Sequence, residues 1–206
     1  ALARSRRVAI GAHPGYADLA GFGRRPVPGI TLAEVENLVA YQVDAFAGIC
    51  ALEGYPATHV KTHGALGNAC ADHDDMACAV ARAIRAVDPG LAFMVMPGTA
   101  TVRAAEKFGL KPINELYADR TYAPGFNLTP RSHPNAMVHD VGIALQRCLE
   151  TLETGRLVAT DGSFLDVAVD SICVHGDSPG AVEMASELRR GLTEAGYAIR
   201  SSVASG

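Results

Sequence analysis

The sequence predicts an α/β protein whose parallel strands close as a (β/α) barrel, and three observations lead there. Short apolar runs alternate with amphipathic helical stretches five times, and parallel neighbours require such helical crossovers. The runs are apolar at nearly every position, as strands covered on both faces must be. Polar residues gather at or just past the strands' C-terminal ends: His13, His63, Glu115 with Asp119, and His175 with Asp177. An open doubly wound sheet is the alternative. Barrels keep their chemistry at those ends and send alternate residues inward, which favours the barrel.

The elements follow in order. Val8 to His13-Pro14 reads as the first strand. Thr31-Leu-Ala-Glu34 is a capping box, in which hydroxyl and carboxylate each satisfy a free amide of the first helical turn. The helix it opens carries Val35, Leu38, Val39, Val43 and Phe46 on one face and ends near Gly54. A strand at 58–62 is followed by a helix from about Asp72, with Met76, Val80, Ile84 and Val87, closed by Pro89-Gly90. Leu91 to Met96 is too short for a helix and stops at Pro97-Gly98. Thr99 caps a third helix that Gly109 ends, and Lys111 to Tyr117 is a strand.

Residues 118–135 hold Pro124, Gly125, Pro130 and Pro134 without periodicity, and a loop of that length is usually functional. A fourth helix is expected from about Ala136 to Thr154, with Gly155 as its stop. Leu157 to Val167 reads as a hairpin around Asp161-Gly162. After the strand Ser171 to His175, Ser178-Pro179 is read as an N-cap followed by proline in the first helical turn, opening a last helix that runs to Gly196.

Composition sets the class. With 206 residues, 49% hydrophobic and 19% charged, the whole chain, 1–206, is expected to be one globular domain. A net charge of −4, with basic residues scattered apart from Arg4-Ser5-Arg6-Arg7 and Arg24-Arg25, offers no basic stripe for nucleic acid. Five cysteines without a Cys-x-x-Cys pair read as reduced thiols of a cytoplasmic protein. No run reaches the roughly 18 to 20 apolar residues of a membrane span, and no signal-type segment follows the Arg-rich start.

The sharpest local signal is Val60-Lys61-Thr62-His63-Gly64. Residues two apart on a strand share a face, so Lys61 and His63 are expected to point together, an arrangement that is costly unless used. Asp177 can equally stabilise the helix start beside it, and Asp119-Arg120 can be a salt bridge holding the long loop. His59, His73, His133 and His139 are expected at the surface or at helix ends, and Arg4, Arg6 and Arg7 at a solvated helix end.

Four blocks carry a resemblance: Gly11-Ala-His-Pro-Gly-Tyr-Ala-Asp-Leu-Ala-Gly-Phe-Gly-Arg-Arg25, Val60-Lys-Thr-His-Gly-Ala-Leu66, Glu115-Leu-Tyr-Ala-Asp-Arg-Thr-Tyr122 and Ile172-Cys-Val-His-Gly-Asp-Ser-Pro-Gly-Ala181. In order and over essentially the whole chain they resemble the LamB/YcsF family of 5-oxoprolinase A subunits. The resemblance implies a barrel of the glycoside hydrolase/deacetylase type, seven-stranded, acting with two partner subunits in the ATP-driven opening of 5-oxoproline to L-glutamate. Family members ordinarily begin with a strand ending in Asp-Leu-Asn and an element containing Cys-Gly-Phe-His. Neither precedes the Gly11 block, so a trimmed chain with its first strands missing is expected. Lys61-Thr-His also stands where the family has Lys-Pro-His.

Lactam opening by ATP needs cations and backbone amides around phosphate, together with groups that move protons. The expected catalytic residues are His13, Lys61, His63 and Asp119. Those expected to hold substrate or phosphate are Arg24, Glu115, Arg120, Arg131, His175 and Asp177. Free amides at the helix starts after His175 and after Pro97-Gly98 suit an anion. No Gly-x-x-x-x-Gly-Lys-Ser/Thr loop occurs, so ATP, with Mg2+, would use an unconventional pocket or one shared with a partner. Two alternatives stand beside this one. The first is a metal-dependent deacetylase or hydrolase with His13, His63 and His175 on one ion. The second is a non-catalytic subunit that only binds substrate. Each of the three is compatible with a homo-oligomer.

Overall fold

Thr31 accepts from the Glu34 N–H at 3.2 Å while the Glu34 carboxylate takes the Thr31 N–H at 2.8 Å, so the expected capping box is formed. It opens the helix α2, Leu32–Leu52, in the computed structural model, which describes residues 1–201. The residues group into two compact units: 1–95 with 99–113, and 96–98 with 114–200.

In the first unit the order is α1 (Leu2–Ser5), β1 (Gly11–Ala12), α2, β2 (His59–Lys61), α3 (Gly64–Asp72), α4 (Asp74–Val87), β3 (Ala92–Val95) and α5 (Ala100–Lys107). β1 pairs parallel with β2, with Ala12 beside Val60, and β2 pairs parallel with β3, with Val60 beside Phe93. The Phe93 N–H donates to the Lys111 carbonyl, which brings the start of β4 (Pro112–Tyr117) alongside β3. Val35, Val39 and Val43 of α2, Val60, Leu66 and Cys70 of α3, Val80 and Ile84 of α4, and Phe93 are essentially inaccessible and form one core. Each such side chain contributes about 1.5–3 kcal/mol of burial.

The second unit holds the rest of β4, then α6 (Val141–Thr154), β5 (Arg156–Val158), β6 (Phe164–Asp166), β7 (Ser171–Cys173) and α7 (Ala181–Glu194). β7 lies parallel to β4 with Glu115 beside Ser171, and β5 and β6 form the expected antiparallel hairpin. The strand order is thus β1-β2-β3-β4-β7. This is the α/β class that the sequence predicts, parallel strands with helical crossovers as in an incomplete (β/α) barrel. The sheet has five strands among the described residues, where the resemblance implied seven.

Several boundaries differ from expectation, each for a local reason. α3 was not foreseen: Gly64-Ala-Leu-Gly-Asn has weak periodicity, and only burial of Leu66 and Cys70 makes it amphipathic. α6 starts at Val141 rather than Ala136, because the Asp140 carboxylate caps the Ile143 N–H and the preceding residues are extended, Val138 N–H bonding the Asp119 carbonyl. α7 starts two residues late. Ser178 N–H closes a turn onto the His175 carbonyl and Gly180 becomes the N-cap. Arg4, Arg6 and Arg7 lie exposed at the end of α1, as expected, and Arg4 also donates to the Glu53 carbonyl at 2.6 Å.

Thr31→Ala removes one half of the capping box without touching the core. It is expected to lower unfolding free energy by about 1 kcal/mol in urea titration, with an unchanged slope.

Candidate functional site

In the first unit the chain leaves β1 through His13-Pro14-Gly15 and turns at residues 15–25 before α2. That turn is braced by Asp18. Its carboxylate accepts the Gly21 N–H at 2.9 Å, the Arg25 N–H at 3.2 Å and the Arg25 guanidinium, and its carbonyl accepts the Gly23 N–H. Hydrogen bonds from the Arg25 guanidinium, ahead of those from the turn's amides, hold the Asp18 carboxyl down at about 2. Gln42, on α2, grips the other end: Gly15 N–H donates to its Oε1 at 3.2 Å and its Nε2 donates to the Gly15 carbonyl at 2.8 Å.

The purpose of the bracing is visible at His63. This residue is the N-cap of α3, extended at φ −94° and ψ 142°, and its ring is packed on several sides. A Cβ on Gly15 would lie 3.3 Å from it. One on Gly23, at φ +66°, would lie 2.9 Å from its Cδ2, so both positions need glycine for close approach. The Phe22 ring meets it edge-on at 5.1 Å, from a backbone at φ +55° that a non-glycine residue rarely adopts. His63 Nε2 lies 2.6 Å from the Phe22 carbonyl, and its Nδ1 lies 3.0 Å from Nε2 of His13. His13 Nδ1 in turn lies 2.7 Å from the main-chain carbonyl of Lys61.

The structure therefore brings His13, Lys61 and His63 together, Lys61 contributing its carbonyl to the contact. Arg24 belongs to the same turn, its guanidinium 5.4 Å from the Phe22 ring centre. His59, expected at the surface, is half-buried on β2. Burial, then the Lys61 charge, lowers its pKa, and Thr58 Oγ1 lies 2.9 Å from its Nδ1.

In the second unit Asp119, only 2% exposed, meets His175. His175 Nδ1 lies 2.9 Å from both carboxylate oxygens, and its main-chain N–H donates to Oδ2 at 3.3 Å. Burial alone would raise the Asp119 carboxyl, but the hydrogen bonds and charge of His175 outweigh it and the net shift is downward. With Nδ1–H donated to the carboxylate, Nε2 is the ring nitrogen of His175 left for a further contact. Asp119 also forms part of the wall of a small recess with Val138, His139, Ser178, Gly180 and Met184.

Asp119 takes this pairing in place of the salt bridge to Arg120 that the sequence also allowed. Arg120 is buried and donates to the carbonyls of Ala136 at 3.2 Å and Thr129 at 2.6 Å, which pins the 118–135 segment. Glu115 is buried near the Tyr117 hydroxyl. Burial first, and the Glu115 charge next, push that phenol well above its usual range. Arg131 and Asp177 are exposed. Of the two helix starts considered for an anion, Thr99 already caps α5, while Gly180 gives α7 no side-chain cap.

Two further points bear on cofactors and thiols. Among the described residues no group of three or more His, Cys, Asp or Glu side chains could hold a metal ion. The histidine pair does not fit one either, because two of its nitrogens donate to carbonyls and the other two face each other. Cys50, Cys70 and Cys148 are buried thiols raised by that burial, Cys148 to about 11. Among the described residues no helix is long and apolar enough to cross a membrane.

Sequence reasoning missed Phe22 and Gln42. Gln42 had a signal, an amide beside the apolar Leu38–Phe46 face, whereas Phe22 acts through a main-chain carbonyl and left none.

Parallel α/β strands ending in clamped histidines and a carboxylate–histidine pair define a protein with acid–base groups at its strand ends. The profile of the LamB/YcsF family matches residues 1–205, and the chain belongs to that family. It is 48% identical to the 5-oxoprolinase A subunit of Rhodopseudomonas palustris strain BisB5 over 96% of this chain and 78% of that protein. It is 46% identical to the same-named protein of Nitrobacter hamburgensis, with the same coverage. A crystal structure of a lactam utilization protein from Thermus thermophilus superposes with a TM-score of 0.87 at 39% identity, covering 97% of this chain and 79% of that one.

The depressed Asp119 carboxyl gives a pH test with a definite sign. Its contribution is fully present above the unfolded value near pH 4 and is lost as pH falls through the lower folded value. The stability gap between wild type and Asp119→Asn is therefore expected to be present at about pH 5 and to shrink below about pH 4. Urea titrations at pH 3 and pH 5 measure it, and an equal gap at both would contradict the ionised pairing.

Proposed function

We infer that this chain takes part in the ATP-dependent opening of the lactam of 5-oxoproline to L-glutamate, as one member of a cytoplasmic complex with two partner subunits. The relatives' names support the substrate and the subunit role. The observation that carries the reading is the clamped His13–His63 pair at the end of β2 beside Lys61.

The chemistry needs three things. A lactam carbonyl resists water until its oxygen is charged, and phosphorylation by ATP, carried with Mg2+, supplies that activation. Lys61 and Arg24 are the cations suited to the phosphoryl oxygens and the substrate carboxylate. The ring nitrogen must gain a proton as its bond to carbon breaks, and the imidazoles of His13 and His63 are the groups suited to give it. Water must lose a proton as it attacks, which is the task of a general base.

A metal-dependent hydrolase is the weaker reading, since the described residues bring no three ligands together. A purely binding role is separated by experiment. Co-expressed with its partners, the wild type is expected to release glutamate from 5-oxoproline only with ATP. Lys61→Ala and His63→Ala are each expected to lower turnover at least about 100-fold. Unchanged turnover in both, with assembly intact, would leave the chain a scaffold.

A further inference from the structure

Four imidazole nitrogens line up between two main-chain carbonyls: Lys61 O, His13 Nδ1, His13 Nε2, His63 Nδ1, His63 Nε2, Phe22 O, with contacts of 2.7, 3.0 and 2.6 Å. A carbonyl oxygen can only accept, so His13 Nδ1 and His63 Nε2 each carry a proton. A neutral imidazole has a single N–H. Two neutral rings would thus face each other with two lone pairs at 3.0 Å, which is repulsive. The contact becomes a hydrogen bond only when one further proton sits between the rings.

We propose that His13 and His63 form one acid–base unit holding a single shared proton between Nε2 of His13 and Nδ1 of His63. The proposal stands on geometry alone. The His63 ring cannot relieve the contact by turning. His63 is enclosed by Gly15, Gly23 and Phe22, and the T-shaped ring pair, with centres 4.8 Å apart, is anchored at both outer nitrogens.

The charge belongs on His13. His63 caps the N-terminus of α3, the positive end of the helix dipole, and α3 has no acidic residue in its first turn to offset it. His13 is exposed, so the protonated ring is the one that solvent or substrate reaches. Other ionisable groups on the surrounding elements of this unit are Tyr16, Arg24 and the Asp18–Arg25 pair on the turn, with His59 and Lys61 on β2.

The first test counts protons on the wild-type chain, so no variant need fold. Long-range proton–nitrogen NMR at pH 7, assigned with His13→Gln and His63→Gln, is expected to show three protonated nitrogens among the four. One N–H per ring would overturn the shared proton. The second test uses the assembled complex. His13→Gln, His63→Gln and the double variant are each expected to lose about 100-fold in turnover, the double no more than the singles, with thermal midpoint and assembly read alongside. Losses that multiply would overturn the single unit. A wild-type complex that releases no glutamate would overturn the lactam reading, while the NMR count would still decide whether the proton is shared.

Discussion

A polar group at the end of a covered parallel strand has to find a partner, and that constraint organises both sites of this protein. The flanking helices remove water from the strands, so a lone imidazole or carboxylate there would cost a few kcal/mol. At β2 the cost is offset by a line of hydrogen bonds through two rings to two main-chain carbonyls. Past β4 and β7 it is offset by Asp119 and His175 meeting each other. Much of the surrounding backbone follows from serving these partners. The Asp18 turn exists to hold Phe22 in a left-handed conformation, Gln42 fixes Gly15, and the glycines leave room for the His63 ring.

The Gly11–Arg25 block is thus a mechanical part rather than a ligand loop. Asp18 sets the turn through Gly21 and Arg25, the turn places the Phe22 carbonyl, and that carbonyl fixes which nitrogen of His63 carries its proton. Each link is short and local, so a change at Asp18 reaches His63 through about four residues of backbone without altering the core. Gly21-Phe-Gly23, which is too short for a nucleotide fingerprint, has a different use: it carries the turn back over the imidazole.

Legibility from sequence divided along the same line. Where a residue type has one dominant local use, the reading held: the Thr31–Glu34 box, the stop at Gly155, the Asp161-Gly162 hairpin and the alternation that implies parallel strands. The pairing of His13 with His63 was foreseen only as convergence at strand ends. Its form was not, because two of the three contacts involve main-chain carbonyls, which every residue possesses. Asp119, expected as a catalytic group, could equally have paired with its neighbour Arg120. A partner 56 residues away won instead because β7 delivers His175 beside β4, while Arg120 is drawn inward to satisfy the carbonyls of Thr129 and Ala136. α3 and the late start of α7 were hidden for a related reason, burial and turn geometry overriding weak local preference.

The two histidine pairs differ in what they can do, and the difference lies in the partner. A carboxylate accepts at both oxygens, so His175 donates Nδ1–H permanently and its chemistry is that of the remaining ring nitrogen. An imidazole can accept or donate but not both at one nitrogen, so the state of His63 is set by His13 and the reverse. Remove the shared proton and the contact turns repulsive; restore it and the line of bonds closes. Such a pair changes its own cohesion each time it gives up a proton, whereas the carboxylate pair keeps its geometry whether or not Nε2 is protonated. That asymmetry separates the two pairs, and it is fixed by which side chain each strand end places opposite the ring.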